Sequence, residues 1–340
     1  MVMFPMNYRE NKDVSKTNKQ IYLAGLEQLI AVREKAAARH RKEYIGGILD
    51  DPERYRKDYK EMLGWPLVGH KADAVPNVSS EKLSDEDGYS IYRMQIEVLE
   101  GVKLSGLLFK QNSDEKKPLV IVQHGNEGTP ELASGFYGST SNYNNMVQRV
   151  VAQGVHVFAP QLFLWHMQNF GVPYDREAVD ARLKRVGSSL TAVEVYGITR
   201  ILDYFQEQNY VSYFGMVGLS YGAFYTIYTA AIEKRIKAAL ACSYFCDRDK
   251  YLWSDWTWFK SAERFNDAEV ACLIYPRKLY LEMGDHDNIF DYKNTLASFE
   301  DIKRVCGGAV DSWAKLTIFD GDHEFYRNDE DIISFVKDIM

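Results

Sequence analysis

Positive charge is in short supply: 41 Lys and Arg face 48 Asp and Glu across 340 residues, a formal balance of −7. Such a surface offers no broad attraction for phosphate backbones or anionic lipid, so neither nucleic acid nor a membrane is an expected partner. Cysteine is scarce as well. Cys242, Cys246, Cys272 and Cys306 include no Cys-x-x-Cys pair, which argues against a disulfide scaffold and for reduced, buried thiols. No apolar run approaches the ~18 residues of a membrane-spanning helix. Residues Met1 to Glu10 lack the basic start and apolar core of a signal peptide, so the expectation is a soluble, cytoplasmic protein. No Gly-x-Gly-x-x-Gly follows a strand and no Gly-x-x-x-x-Gly-Lys-Ser/Thr occurs, which removes support for nucleotide phosphate binding.

Hydrophobic residues at 46% and charged residues at 26% leave ample material for a large globular core. From Thr17 to Arg41, Tyr22, Leu26, Leu29, Ile30 and Val32 recur at mixed three- and four-residue spacing, which predicts an amphipathic helix. Asp51-Pro52 and Gly64-Trp65-Pro66 bracket a second helix from Asp51 to Leu63. Residues 1–86 therefore read as a helical N-terminal extension. Period-two patterning then starts, with strands Tyr89–Leu99 and Val102–Lys110 joined at Glu100-Gly101. Continuous apolar runs follow at Leu119–Val122, Val155–Phe158, Phe214–Leu219, Ala238–Cys242, Lys278–Met283 and Lys315–Phe319. Between them lie helical stretches at Tyr143–Gln153, Ala178–Gln208, Tyr221–Lys234, Asp291–Val305 and Asp329–Ile339. That alternation predicts an α/β class domain over residues 87–340, a doubly wound, mostly parallel sheet covered on both faces. A long connection at about 243–275 reads as a cap-like insertion, and its Trp253 and Trp256 are candidate substrate contacts or packing residues.

The strongest local signal is Gly218-Leu219-Ser220-Tyr221-Gly222, placed where an apolar strand gives way to a helix. A sharp turn there exposes a serine in strained geometry at a helix N-terminus, and small flanking residues keep Cβ atoms from colliding. A serine hydroxyl needs a base and a residue to orient that base. Gly284-Asp285-His286-Asp287 and Asp320-Gly321-Asp322-His323 follow later strands and reach the same sheet edge, in the chain order Ser, Asp, His. The candidate catalytic residues are thus Ser220, His323 and Asp287, with Asp285 and Asp291 competing for the acid's place. Backbone N–H groups of Asn126 and Tyr221 are the candidate oxyanion donors, Asn126 lying in the turn Gln123-His124-Gly125-Asn126-Glu127-Gly128. His124 reads as a residue packing that turn, and Glu127 as a solvated loop charge. The remaining histidines, His40, His70, His156, His166 and His286, have structural readings. With no His-x-x-x-His pair and no thiolate cluster beside these carboxylates, no metal and no cofactor is expected.

On these motifs, with Gly187-Ser188-Ser189-Leu190-Thr191-Ala192 ahead of the serine turn, the chain from Asp87 to Met340 resembles the α/β-hydrolase superfamily. Within it, the likeness is to the dienelactone hydrolase and acetyl xylan esterase-like branch. Leu63-Gly64-Trp65-Pro66-Leu67 is similar to the helical leader of some bacterial relatives. The resemblance implies an eight-stranded sheet and cofactor-free hydrolysis of carboxylic esters, often acetyl groups on sugars. Departures are the Asn126-Glu127-Gly128 loop, which is not Gly-Gly, and Tyr221 where several relatives carry Gln or Met. Fold alone does not select a substrate, so a peptidase or amidase, a dienelactone-type hydrolase and a non-catalytic ligand-binding homologue stand as alternatives. The expected partner is a small-molecule ester; a homo-oligomer is compatible with the sequence.

Overall fold

The structure is a computed structural model that describes residues 7–65 and 75–340. Met1 to Met6, Pro66, Leu67 and His70 lie outside those residues.

Two helices come first. Helix α1 (Lys12–Tyr44) begins where the Asn11 side chain accepts the Asp13 N–H, and of its own residues only Ala37 is buried. Helix α2 (Pro52–Leu63) has Asp51 as N-cap, Pro52 at its first position and Gly64 at φ 93° as a left-handed stop. Its Tyr55, Tyr59, Met62 and Leu63 enter the main core. The Arg56 guanidinium reaches the Ala231 and Leu273 carbonyls at 3.0 and 2.6 Å.

Strands β1 (Val78–Asp85), β2 (Tyr89–Leu99) and β3 (Val102–Gln111) form an antiparallel meander, the last two joined by Gly101 at φ 76°. The chain continues through β4 (Lys117–Gln123), α3 (Pro130–Ala133), α4 (Met146–Val151), β5 (His156–Pro160), α5 (Met167–Phe170), α6 (Arg176–Arg185) and α7 (Leu190–Gln206). It then runs through β6 (Val211–Leu219), α8 (Tyr221–Ile232), β7 (Ile236–Cys242) and α9 (Asp267–Cys272). Strand β8 (Lys278–Gly284), α10 (Tyr292–Cys306), β9 (Ala314–Phe319) and α11 (Glu330–Ile339) complete it.

One sheet results, in the order β1-β2-β3-β5-β4-β6-β7-β8-β9. Strand β3 pairs antiparallel with β5, and every pairing from β5 onward is parallel. Apolar strands buried on both faces need cover on both sides. One layer brings Leu119, Ile121 and Met216 together with residues of α2, α7, α8, α9 and α10. The other packs Val120, Val122 and Val217 against α4 and α11. No described helix is long and apolar enough to cross a membrane.

Two details differ from expectation. Among the described residues the sheet has nine strands instead of eight: β1, within the stretch assigned to the helical extension, pairs with β2 as an edge strand. Its sequence, VSSEKLSD, lies at a sheet edge with no residue fully buried, so it carries no apolar alternation to announce it. The expected long helix over 178–208 is two helices, split where Gly187 adopts φ 84° and Ser189 caps α7 by accepting the Ala192 N–H.

Candidate active site

Ser220 stands between the end of β6 and the start of α8 with φ 58° and ψ −123°. A non-glycine residue held there stores on the order of 1–3 kcal/mol of strain, which the surroundings must enforce. They do so by close packing. A Cβ on Gly218 would stand 2.2 Å from the Gly222 carbonyl oxygen, and one on Gly222 would stand 2.1 Å from that of Gln123. The flanking glycines are therefore steric requirements of the turn. A Cβ on Gly125 would stand 3.1 Å from Ser220 Cβ, which shows how tightly the loop after β4 presses on the serine.

The loop after β8 supplies a carboxylate and the loop after β9 an imidazole. His323 Nδ1 lies 2.7 Å from Asp287 Oδ2, with the Asp287 side chain sealed from solvent. The other carboxylate oxygen, Oδ1, accepts the N–H groups of Ile289 at 2.8 Å and Phe290 at 2.9 Å. That arrangement fixes the acid from one side and leaves the second oxygen for the imidazole. Asp285 faces elsewhere: its Oδ1 accepts the Gly321 N–H at 3.3 Å and lies 3.6 Å from His286 Nε2. Asp291 caps α10 by accepting the Lys293 N–H. Asp285, His286 and Asp320 gather at the exposed surface, with ligand-type atoms within 4.8 Å of one another.

The end of β7 joins the two halves of the site, and nothing in the sequence pattern marks it. The Cys242 carbonyl accepts the Ser220 N–H at 2.9 Å. The neighbouring Ser243 hydroxyl donates to the Glu324 carbonyl at 2.8 Å, and the Cys242 thiol lies 3.3 Å from the same oxygen. Glu324 follows His323 directly. Asn142 completes the hold by donating to the His323 carbonyl at 3.0 Å.

The turn Gly125 to Gly128 closes with a 3.2 Å hydrogen bond from Gly128 N–H to the Gly125 carbonyl, leaving Asn126 and Glu127 at its corners. His124 is buried, with Nδ1 2.9 Å from the Gly125 carbonyl and Nε2 accepting the Leu162 N–H at 3.2 Å. Burial pushes its pKa down to about 4, so the ring is neutral at pH 7 and acts as a strut. Glu127 is exposed, 4.0 Å from His166.

Behind the serine, Tyr221 donates its hydroxyl to Asp255 at 2.8 Å, and Asp255 also binds Arg176 at 2.7 Å. Arg176 reaches Glu194 at 3.1 Å and the Phe163 carbonyl at 2.7 Å, so one buried cation ties the insertion to α7 and α8. Trp253 stacks on Tyr221 at 6.0 Å with 8° between planes and is 38% exposed. Trp256 lies deeper. It is 2% exposed, packed on Phe224 and Phe290, so it has no face left for a ligand and serves the core.

No protein-family model and no curated protein matches the sequence. Solved structures do. A Bacteroides fragilis protein assigned as an acetyl xylan esterase shares 15% identity over 79% of this chain and 74% of its own, at a TM-score of 0.62. The glucuronoyl esterase of Solibacter usitatus shares 15% over 83% and 91%, at 0.59. Acetyl Xylan Esterase 1 of a Thermoanaerobacterium shares 15% over 84% and 92%, at 0.56. The fold is that of the α/β-hydrolases. Ser220 lies at a strand-to-helix turn of that fold, and Asp287 and His323 lie in the loops after β8 and β9.

Proposed function

We propose that this α/β-hydrolase is a serine esterase that cleaves short-chain carboxylic esters, with acetyl groups on small carbohydrates as the substrate class. The observation that carries the reading is the 2.7 Å contact between His323 Nδ1 and the sealed Asp287 carboxylate, with the residue after His323 held by Cys242 and Ser243 at the same strand end that accepts the Ser220 N–H. Asp287 holds the tautomer that carries hydrogen on Nδ1, which leaves Nε2 free to accept a proton. Ser220 Oγ attacks the ester carbonyl as His323 takes its proton. The N–H groups of Asn126 and Tyr221 receive the developing oxyanion, helped by the N-terminus of α8. His323 then protonates the departing alkoxide, and water repeats the sequence on the acyl-enzyme. The exposed face of Trp253 beside Tyr221 suits the apolar face of a sugar ring, and the structural neighbours include a glucuronoyl esterase and an acetyl xylan esterase.

Hydrolysis of p-nitrophenyl acetate and butyrate tests the reading. Ser220→Ala and His323→Ala each lower kcat/KM by a factor on the order of 10³ or more, and a fluorophosphonate labels the Ser220 peptide. Equal turnover by wild type and Ser220→Ala would refute the assignment. Acetylated sugars assayed against aminoacyl amides then separate an esterase from an amidase.

A further inference from the structure

Four thiols are buried, and two of them have partners in the site and the core. The Cys242 thiol lies against the Glu324 carbonyl, and that of Cys246 is 3.7 Å from Asp267. The other two face each other: Cys306 Sγ lies 3.0 Å from Cys272 Sγ. Each is the last residue of a helix, Cys272 of α9 and Cys306 of α10. Both helices are anchored away from the sulfurs. Helix α9 starts in a capping box between Asn266 and Glu269, and its Asp267 accepts hydrogen bonds from Tyr228 and Tyr244 at 3.0 and 2.6 Å. Helix α10 is pinned by Thr295, whose hydroxyl donates to the Phe245 carbonyl at 2.6 Å. Rigid helices thus present two sulfurs to each other, about 1 Å beyond the ~2.05 Å of a covalent bond.

We propose that Cys272 and Cys306 form an oxidisable dithiol which a peroxide converts into a disulfide joining α9 to α10. The two sulfurs are not equivalent. Cys306 is 6% exposed and Cys272 1%. The hydrogen bond with Cys272 draws the Cys306 thiol below its ordinary pKa, whereas burial pushes the Cys272 thiol up. The order of events follows. The Cys306 thiolate attacks one oxygen of the peroxide, the O–O bond breaks, and a sulfenic acid forms as hydroxide leaves and takes up the thiol's proton to become water. The Cys272 sulfur then attacks the Cys306 sulfur, the S–O bond breaks, and its proton departs with the hydroxyl as a second water. Two thiols lose two electrons in all, and one peroxide is reduced to two waters.

The new bond closes the segment from Cys272 to Cys306, which contains β8, the Asp287 loop and Phe290. Cross-linking that stretch restricts the unfolded chain far more than the folded one, so the oxidised protein gains thermal resistance. The inference is independent of the ester chemistry, since neither thiol contacts Ser220, His323 or Asp287 in any described hydrogen bond.

Peptide mapping without reductant tests it. The full-length reduced protein is treated with hydrogen peroxide, denatured in N-ethylmaleimide and digested. The expected result is one cross-linked pair of peptides, containing Cys272 and Cys306, about 2 Da lighter than their sum, with Cys242 and Cys246 alkylated. Melting of the oxidised protein rises by about 5 °C and returns with dithiothreitol. Cys306→Ala removes both the cross-link and the rise. Alkylation of Cys272 and Cys306 after peroxide, or a sulfinic acid on Cys306 beside a free Cys272, overturns the proposal. The wild-type map decides the matter even where a variant folds poorly.

Discussion

At the scale of single residues, His124 shows how a group that resembles a catalytic base is made a strut. Its burial lowers the folded pKa to about 4, against about 6.5 in an open chain. Between those values the unfolded state binds the extra proton, so stability is present above pH 6.5 and is lost as pH falls toward 4. The size of the loss is on the order of 3 kcal/mol for a shift of that extent. His156, also lowered to about 4 by burial, adds a loss of the same sign. Burial raises the Glu282 carboxyl to about 8, an effect of opposite sign over the same range, so the His124 contribution is read by difference: the urea midpoint of the wild type should fall relative to that of His124→Asn from pH 7 to pH 4, while the variant is the less stable at pH 7. An unchanged slope in the variant would show that His124 titrates normally.

Secondary-structure elements divide sharply in how legible they are from sequence. Strands β2, β3, β6, β7, β8 and β9 coincide with apolar or alternating runs, because each has buried or half-buried positions against the layers that cover the sheet. The elbow and the two later loops are legible for a related reason: glycines mark where backbones touch, as at Gly218, Gly222 and Gly284. What escapes is long-range. Ser243 gains its role from β9's loop, 81 residues away, and no local pattern records that pairing. The Arg176, Glu194 and Asp255 cluster is likewise spread over α6, α7 and the insertion. Helix α2 gives the element-scale prediction. Arg56→Ala takes a charged donor from two buried carbonyls, Ala231 and Leu273, of which only Leu273 keeps another, from Arg277 at 3.1 Å, and this should cost about 2–3 kcal/mol in urea unfolding. The ester turnover proposed above, per folded molecule, should stay within twofold, since α2 grips the far end of α8 and not the Ser220 end.

For the whole molecule, the two N-terminal helices are unequal partners of the sheet. Helix α2 belongs to the core, whereas Ile21, Tyr22, Leu23, Leu29 and Val32 of α1 are all more than half exposed. Attachment of α1 is concentrated near its end, where Arg41 binds Asp249 and the Ala262 carbonyl, each at 2.8 Å. Removing residues through Val32 should shift melting by no more than about 2 °C and leave ester hydrolysis intact, because little surface that α1 covers lies before Ala37. A larger loss would mean that the apolar run is buried in solution.

The end of β7 has one more consequence, which concerns biosynthesis. The ribosome delivers Ser220 first, then the Cys242-Ser243 pair, then Asp287 and finally His323. On the proposed mechanism, a nascent chain made as far as β7 carries the Cys242 carbonyl that accepts the Ser220 N–H, but not the base that would activate the hydroxyl. The contact between the Glu324 carbonyl and the Ser243 hydroxyl is the last of these to become available as the chain is made. On the proposed mechanism, the same two residues that align the finished site also keep the growing polypeptide from attacking esters before it is complete.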